Sequence, residues 1–259
     1  MADTPTLRDI SMSIEYRLWQ LMYNAGWYVS VNAAPLVADT RTGAPANSYC
    51  IQDTGFGLKP WVFFDANTVN SRPDHITIYS NGNPANPGTY SLDFLNGRVS
   101  FNNPTTATIS ADLYFFPFTV RKGYPKETAA TQLLQQSELP IIAYETTGFG
   151  GPPCDLRSTA RDNRIPLTVY LMCRNDGERM DMGHDISRGL TTVQIFDMRS
   201  QWILTPTGNN NLNFNAGVQT QGWLRVGRDP EYRAINPVVN ASTKQMFQGM
   251  VSTEFRCAY

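Results

Sequence analysis

The chain holds four cysteines and two histidines among 259 residues, and the chemistry open to it starts with them. Cys154 or Cys173 with His184-Asp185 is the one arrangement resembling a Cys/His enzyme, in which a base takes the thiol proton and a third group orients the base. His184 falls within a segment of helical periodicity, between Gly183 and Asp185, and nothing beside it prepares a thiolate. The plainer reading is a solvent-facing helix histidine. Cys50, Cys154, Cys173 and Cys257 contain no C-x-x-C, and with His75 and His184 they give no zinc-ligand spacing. No metal and no cofactor is therefore expected, only four reduced, mostly buried thiols.

Other chemistry has weaker support. Gly55-Phe56-Gly57 and Gly148-Phe149-Gly150-Gly151 carry glycine but neither is a phosphate loop, because neither has the G-x-x-x-x-G-K-[ST] pattern nor sits between an apolar strand and a helix. The pairs Asp176/Glu178 and Asp181/Asp185 lie near the start of a helix, where they meet its dipole favourably without any acid–base role. A glycosidase pair is defined by its separation in space, which the sequence does not give. Asn240-Ala241-Ser242 fits the glycosylation pattern, but without a secretory leader it reads as coincidence. Arg157, Arg161 and Arg164 crowd into the polar segment 152–164. They form either a basic arm for an acidic partner or a DNA backbone, or a loop tied down by Asp155 and Asp162. Trp61, Phe63, Tyr114 and Phe116, spaced by two, could line a sugar-stacking face; aromatics at that period are more often the core side of strands.

The elements that must position these residues come next. Ile14, Leu18, Leu21, Met22 and Ala25 recur at helical spacing, with Ser11 or Ser13 as cap and Gly26 as a left-handed stop. Residues 29–48, rich in Ala, Pro, Thr and Asn, read as loop. Strands follow at 61–65 and 75–79. Asn96-Gly97 between 90–95 and 98–101 predicts a hairpin with a type I′ turn. Residues 108–120 alternate into an aromatic strand that Pro117 ends or confines to a sheet edge. A boundary is expected at 121–125, giving regions 1–122 and 123–259. Helices are predicted at 126–138 and 178–193, the second with Met182, Ile186 and Leu190 on one face. Strands are predicted at 139–145, 165–174, 195–198, 218–227 and 245–257, with loops at 147–164 and 207–216. The expected fold is α+β: a β-rich N-terminal region with one leading helix and hairpins, then a mixed sheet with two helices packed on one face.

Composition excludes several classes. Charged residues make up 17% of the chain, the net charge is −1, and 20 Asn, 19 Gly and 17 Pro fill the deficit. Such residues belong to turns and irregular backbone, while 12% aromatic content argues against wholesale disorder. No apolar stretch approaches a membrane span of roughly 18 residues. The opening residues have neither the basic nor the apolar region of a signal peptide, so no leader is expected. Near-zero charge disfavours non-specific nucleic-acid binding by the whole surface. The 17 Arg against 4 Lys favour packed, bidentate contacts at interfaces.

The strand opening Leu139-Pro140, the Gly/Pro/Arg loop, the strand 166–175 and the turn Gly177-Glu178-Arg179 entering a helix resemble neck proteins of tailed bacteriophages, specifically head–tail connector and tail-terminator subunits. Ile14-Glu15-Tyr16-Arg17-Leu18, residues 52–57 and the 96–101 hairpin are similar to sequences that accompany them. The resemblance spans residues 14–198. It implies a structural virion protein, not an enzyme, forming a homo-oligomeric ring, a hexamer, between head and tail. Assembly would take place in the host cytoplasm, with other neck, connector, tail-tube or sheath proteins as partners and genomic DNA passing through the lumen without sequence specificity. Loops 147–164 and 207–216 would contact neighbouring subunits or the tail tube, with Phe149, Arg157, Arg161, Arg164, Asn210 and Asn211 as candidate contacts. The alternative is a carbohydrate- or surface-binding β module of a virion, and a hydrolase using Cys173 or a carboxylate pair stands behind both.

Overall fold

The computed structural model describes residues 6–41, 43–51, 60–63, 66–67, 72–73, 76–123, 139–146, 162–196, 220–238 and 246–258. They form two units: one from the described parts of 1–26, 118–199 and 219–259, the other from those of 27–117. The leading helix thus shares a unit with the C-terminal sheet, and the chain between them builds a unit of its own.

Helix α1 (Leu7–Asn24) starts one turn earlier than expected. Thr6 and Asp9 close a reciprocal capping box: the Asp9 N–H donates to Thr6 Oγ1 at 3.2 Å and the Thr6 N–H to Asp9 Oδ2 at 2.8 Å. That arrangement satisfies two otherwise orphaned donors. Ser11 and Ser13, the expected caps, lie inside the helix and are buried. Ser13 instead bonds back to the Asp9 carbonyl and accepts the Phe196 N–H. Gly26 ends the helix at φ +83°, where a side chain would be strained.

The second unit is a seven-stranded antiparallel sheet. Its strands are β1 (Val29–Ala38), β2 (Ser48–Ile51), β5 (Thr77–Ser80), β6 (Asn83–Pro84), β7 (Tyr90–Asp93), β8 (Arg98–Phe101) and β9 (Ile109–Phe115), in the order β6-β5-β9-β1-β2-β8-β7. Two-residue strands β3 (Ala66–Asn67) and β4 (Arg72–Pro73) pair separately. Strand β1 corrects the expectation of a loop over 29–48. Only Leu36 of its ten residues is buried, so it carries almost no alternation; its neighbours specify it. A register shift interrupts its pairing with β9 between Val31 and Ala34. There Ala33 takes φ +49° and Asp112 Oδ1 accepts its N–H at 2.6 Å.

The β7–β8 hairpin forms where Asn96-Gly97 placed it, but Asp93 pairs with Arg98, leaving a four-residue loop. Only Gly97 of the dipeptide has positive φ, whereas a type I′ turn needs it at both positions. The Asp93 carboxylate explains the difference: it accepts from the Asn96 N–H at 3.1 Å and from Asn96 Nδ2 at 2.7 Å, holding the longer loop. Of the expected strand 61–65, Trp61 makes one isolated bridge to Phe115. The core of this sheet gathers Trp61, Ile78, Leu92, Val99, Ile109 and Leu113. Pro117 follows the end of β9, as its missing N–H requires.

In the first unit β10 (Thr119–Lys122), β11 (Ile141–Thr146), β12 (Asp162–Cys173), β13 (Thr192–Phe196), β14 (Thr220–Val238) and β15 (Met246–Ala258) make a mixed sheet ordered β10-β11-β12-β15-β14-β13. Strands β10 and β11 are parallel and the other neighbours antiparallel. Helix α2 (Asp176–Gly189) is capped by Asn175, whose Oδ1 accepts the Glu178 N–H at 2.8 Å. It ends four residues short of the expected Val193, which is a buried residue of β13. The expected helix 126–138 lies outside the described residues.

Register explains the layering. Ile165, Leu167, Val169 and Leu171 of β12 are buried and alternate with Arg164, Pro166, Thr168 and Tyr170. Tyr144, Val169, Val251 and Tyr232 form one row across four strands. At one end of that row the Tyr144 hydroxyl donates to Glu15 of α1 at 2.9 Å. At the other end the Tyr232 ring lies against Gly183 of α2. Both helices therefore cover the same face, and a Cβ on Gly189 would fall 2.2 Å from Leu21 of α1.

Candidate functional site

The opposite face of this sheet carries the alternate residues of the same strands. Antiparallel register sets Arg164 of β12 against Arg256 of β15, and Arg256 against Arg225 of β14. All three are exposed. Thr192 of β13 extends the row beside Arg225. One step along β14, on the same side, Trp223 is 54% exposed and faces Gln194. Farther along, Arg228 lies opposite Glu254, and Glu231 pairs with both Arg228 and Arg233, at 3.2 and 2.8 Å. Arg256 reaches Glu254 at 3.7 Å while its stem lies over Gly227, where an added Cβ would come within 2.6 Å of it.

Like charges directly opposite on neighbouring strands destabilise a sheet, by about 0.2–1 kcal/mol per pair. Three guanidinium groups in one row therefore oppose folding mildly. What the arrangement offers in return is a line of cations beside an aromatic ring, the residue types that dominate contact surfaces.

The edges of the sheet offer less. Strand β13 pairs with β14 only from Thr220 to Arg225. Beyond that, β14 carries Pro230, Pro237, alternating charges and three register shifts, which are devices that block strand addition. The other edge, β10, is four residues long and ends in exposed Arg121 and Lys122.

The sequence-expected groups divide clearly. Arg164, expected in a loop, stands on β12, which begins at Asp162; cross-strand pairing with β15 sets that boundary. Phe149, Arg157, Arg161, Asn210 and Asn211 lie outside the described residues, as do Cys154 and His75. Burial pushes the Cys173 thiol up to about 12, with the Glu178 charge adding to the shift. Its Sγ lies 3.9 Å from Met182 Sδ, so the thiol is held protonated in the core, the reverse of a prepared nucleophile. His184 is exposed on α2, 3.5 Å from Arg188. Trp61, Phe63 and Phe116 are buried, leaving only Tyr114 of that set at the surface, stacked on Tyr28 with centroids 5.1 Å apart. No group of three or more His, Cys, Asp or Glu able to hold a metal occurs among the described residues. None of the described helices is long and apolar enough to cross a membrane.

Two buried charge clusters fix the frame. On α1, burial raises the Glu15 carboxyl above its ordinary range; the Tyr144 hydroxyl and the Lys122 charge offset part of the shift. In the seven-stranded sheet the Asp39 carboxylate is fully covered. Burial alone would raise its pKa, but hydrogen bonds from the Arg41 side chain and backbone, with the charges of Arg41 and Arg98, hold it below the usual value. Arg98 also reaches Asp93 at 3.4 Å, tying the β7–β8 hairpin to the end of β1.

Arg225, Arg256 and Trp223 were not singled out by sequence. Their signal, Trp223-x-Arg225 and Glu254-x-Arg256 at a period of two, becomes a row only once the strand register is known. No protein-family model and no curated protein sequence matches this chain.

Proposed function

We propose that this protein is a structural subunit of a tailed-phage neck, closing into a hexameric ring that joins head to tail or caps the tail tube while DNA passes through. The observation that carries this reading is the arginine and tryptophan face of the six-stranded sheet. It is flat, backed by two helices, and flanked by blunted edges, so association runs through side chains and not through strand addition. The buried, protonated Cys173 and the solvent-facing His184 suit a contact protein better than an enzyme. The residue pattern of 14–198, similar to neck proteins, supplies the specific assignment. Loops 147–164 and 207–216, with Phe149, Arg157, Arg161, Asn210 and Asn211, belong to this proposal as contacts between subunits.

Negative-stain imaging of the purified full chain tests it. Closed rings, lost on deletion of 150–162, are the expected result. A protein that stays monomeric at high concentration and with neck partners present would overturn the ring.

A further inference from the structure

We infer that the Arg164–Arg256–Arg225 row is a contact for the phosphodiester backbone of nucleic acid, bound without sequence specificity. As a statement of what passes over this face, it rests on the ring reading above.

Three features of the face select this occupant. The first is spacing. Neighbouring strands lie about 4.8 Å apart, so the row spans roughly 10 Å. One strand of duplex DNA presents a phosphate per 3.4 Å of axis, about three over that length. The second is the surrounding chemistry. Thr192 continues the row, Gln194 faces Trp223, and Ser252 and Thr168 lie in register farther along the same face. Neutral donors beside arginine are the usual partners of phosphate and sugar oxygens. The exposed Trp223 ring adds a flat apolar surface for a sugar or an unstacked base.

The third feature argues against a second copy of the chain. A carboxylate strand facing the row would need acidic residues at i, i+2 and i+4. Among the 22 acidic residues no such triplet occurs. Only Asp176/Glu178 and Asp229/Glu231 stand two apart; Glu178 is engaged by the Arg174 N–H, and Glu231 by Arg228 and Arg233.

The face is not uniformly basic. Glu254 and Glu231 sit among the five arginines 164, 225, 228, 233 and 256. Contact is therefore weak and strongly salt-dependent, as suits a duplex that must move past it.

Fluorescence anisotropy with the full chain and a labelled DNA duplex of arbitrary sequence, about three helical turns long, tests the inference. Three phosphates neutralised per engaged subunit give a log–log salt slope near −2.7, about a 40-fold loss of affinity between 50 and 200 mM salt. Arg225→Gln with Arg256→Gln should flatten that slope by about 1.8 per engaged subunit, whereas Arg225→Lys with Arg256→Lys should keep it, because counterion release counts charges. An unchanged slope in the glutamine variant overturns the inference, as does equal loss in the lysine variant, which would report a damaged sheet. If the glutamine variant loses its rings while DNA affinity is unaltered, the row is a protein contact and the inference falls with the ring standing. Arginine-dependent DNA binding by a wild-type protein that forms no rings supports the inference and overturns the ring.

Discussion

Gly183→Ala tests how α2 is seated on the sheet that carries the arginine face. In an exposed helix interior the substitution would stabilise by about 1 kcal/mol through helix propensity. Here the new Cβ would stand 2.3, 2.5 and 2.9 Å from three atoms of the Tyr232 ring. The ring has little room to retreat, because its Cε2 is already 3.0 Å from where a Cβ on Gly249 would lie. Overpacking of this kind costs about 1–3 kcal/mol and outweighs the propensity gain. The expected net result is a loss of about 1–2 kcal/mol. Removing the ring reverses the sign: in a Tyr232→Ala background the same glycine substitution should gain about 1 kcal/mol, giving a coupling of about 2–3 kcal/mol in the double-mutant cycle. Urea titrations followed by circular dichroism measure all four proteins, and amide exchange of α2 assigns the transition to this unit. A Gly183→Ala protein more stable than wild type, with no coupling to Tyr232, would refute the packing argument.

Two further predictions concern the buried charges. The Glu15 carboxyl has a folded pKa above its ordinary 4.5, so its contribution is complete below that value and is lost as pH rises through the folded pKa. Glu15→Gln should therefore lose less stability than wild type between pH 4 and 7, and parallel urea-derived profiles would sink the idea. Asp39 is the opposite case: its pKa is depressed, so its contribution is present above the ordinary carboxylate range and disappears as pH falls through the folded value. Asp39→Asn leaves Arg98, whose side chain is only 10% exposed, short of one counter-charge. A loss of about 2–3 kcal/mol at pH 7, shrinking toward acid, is expected; thermal unfolding at both pH values would show it, and a loss independent of pH would contradict the ionic account.

The two helices show how a single unit can present one rigid surface. Arg179 of α2 is buried and its Nη1 donates to the carbonyls of Ile235 and Gln248, at 3.3 and 3.2 Å, on β14 and β15. With Tyr232 seated against Gly183, it anchors the same two strands whose opposite side carries Arg225, Arg228, Arg233 and Arg256. Substitutions on the helix side should thus alter the arginine face without touching it.

Where a segment's own residues bury a face of it, the sequence was sufficient. Met182, Ile186 and Leu190 mark the buried side of α2, and alternation in 165–173 marks a strand with one side in the core, because helical and strand periods are local geometry. Thr6 and Asp9 form a legible capping signature that the more central Ser11 and Ser13 obscured. Strand β1 was not legible, since nine of its ten residues escape full burial and its existence depends on β9 and β2. The arginine row is the extreme case. A period of two says that Arg225 shares a side of its strand with Trp223, and Arg256 with Glu254. Only the pairing of β12, β15 and β14 sets Arg164, Arg256 and Arg225 side by side, and that register is chosen by the apolar residues on the other face, where a slip of one residue would turn the core outward.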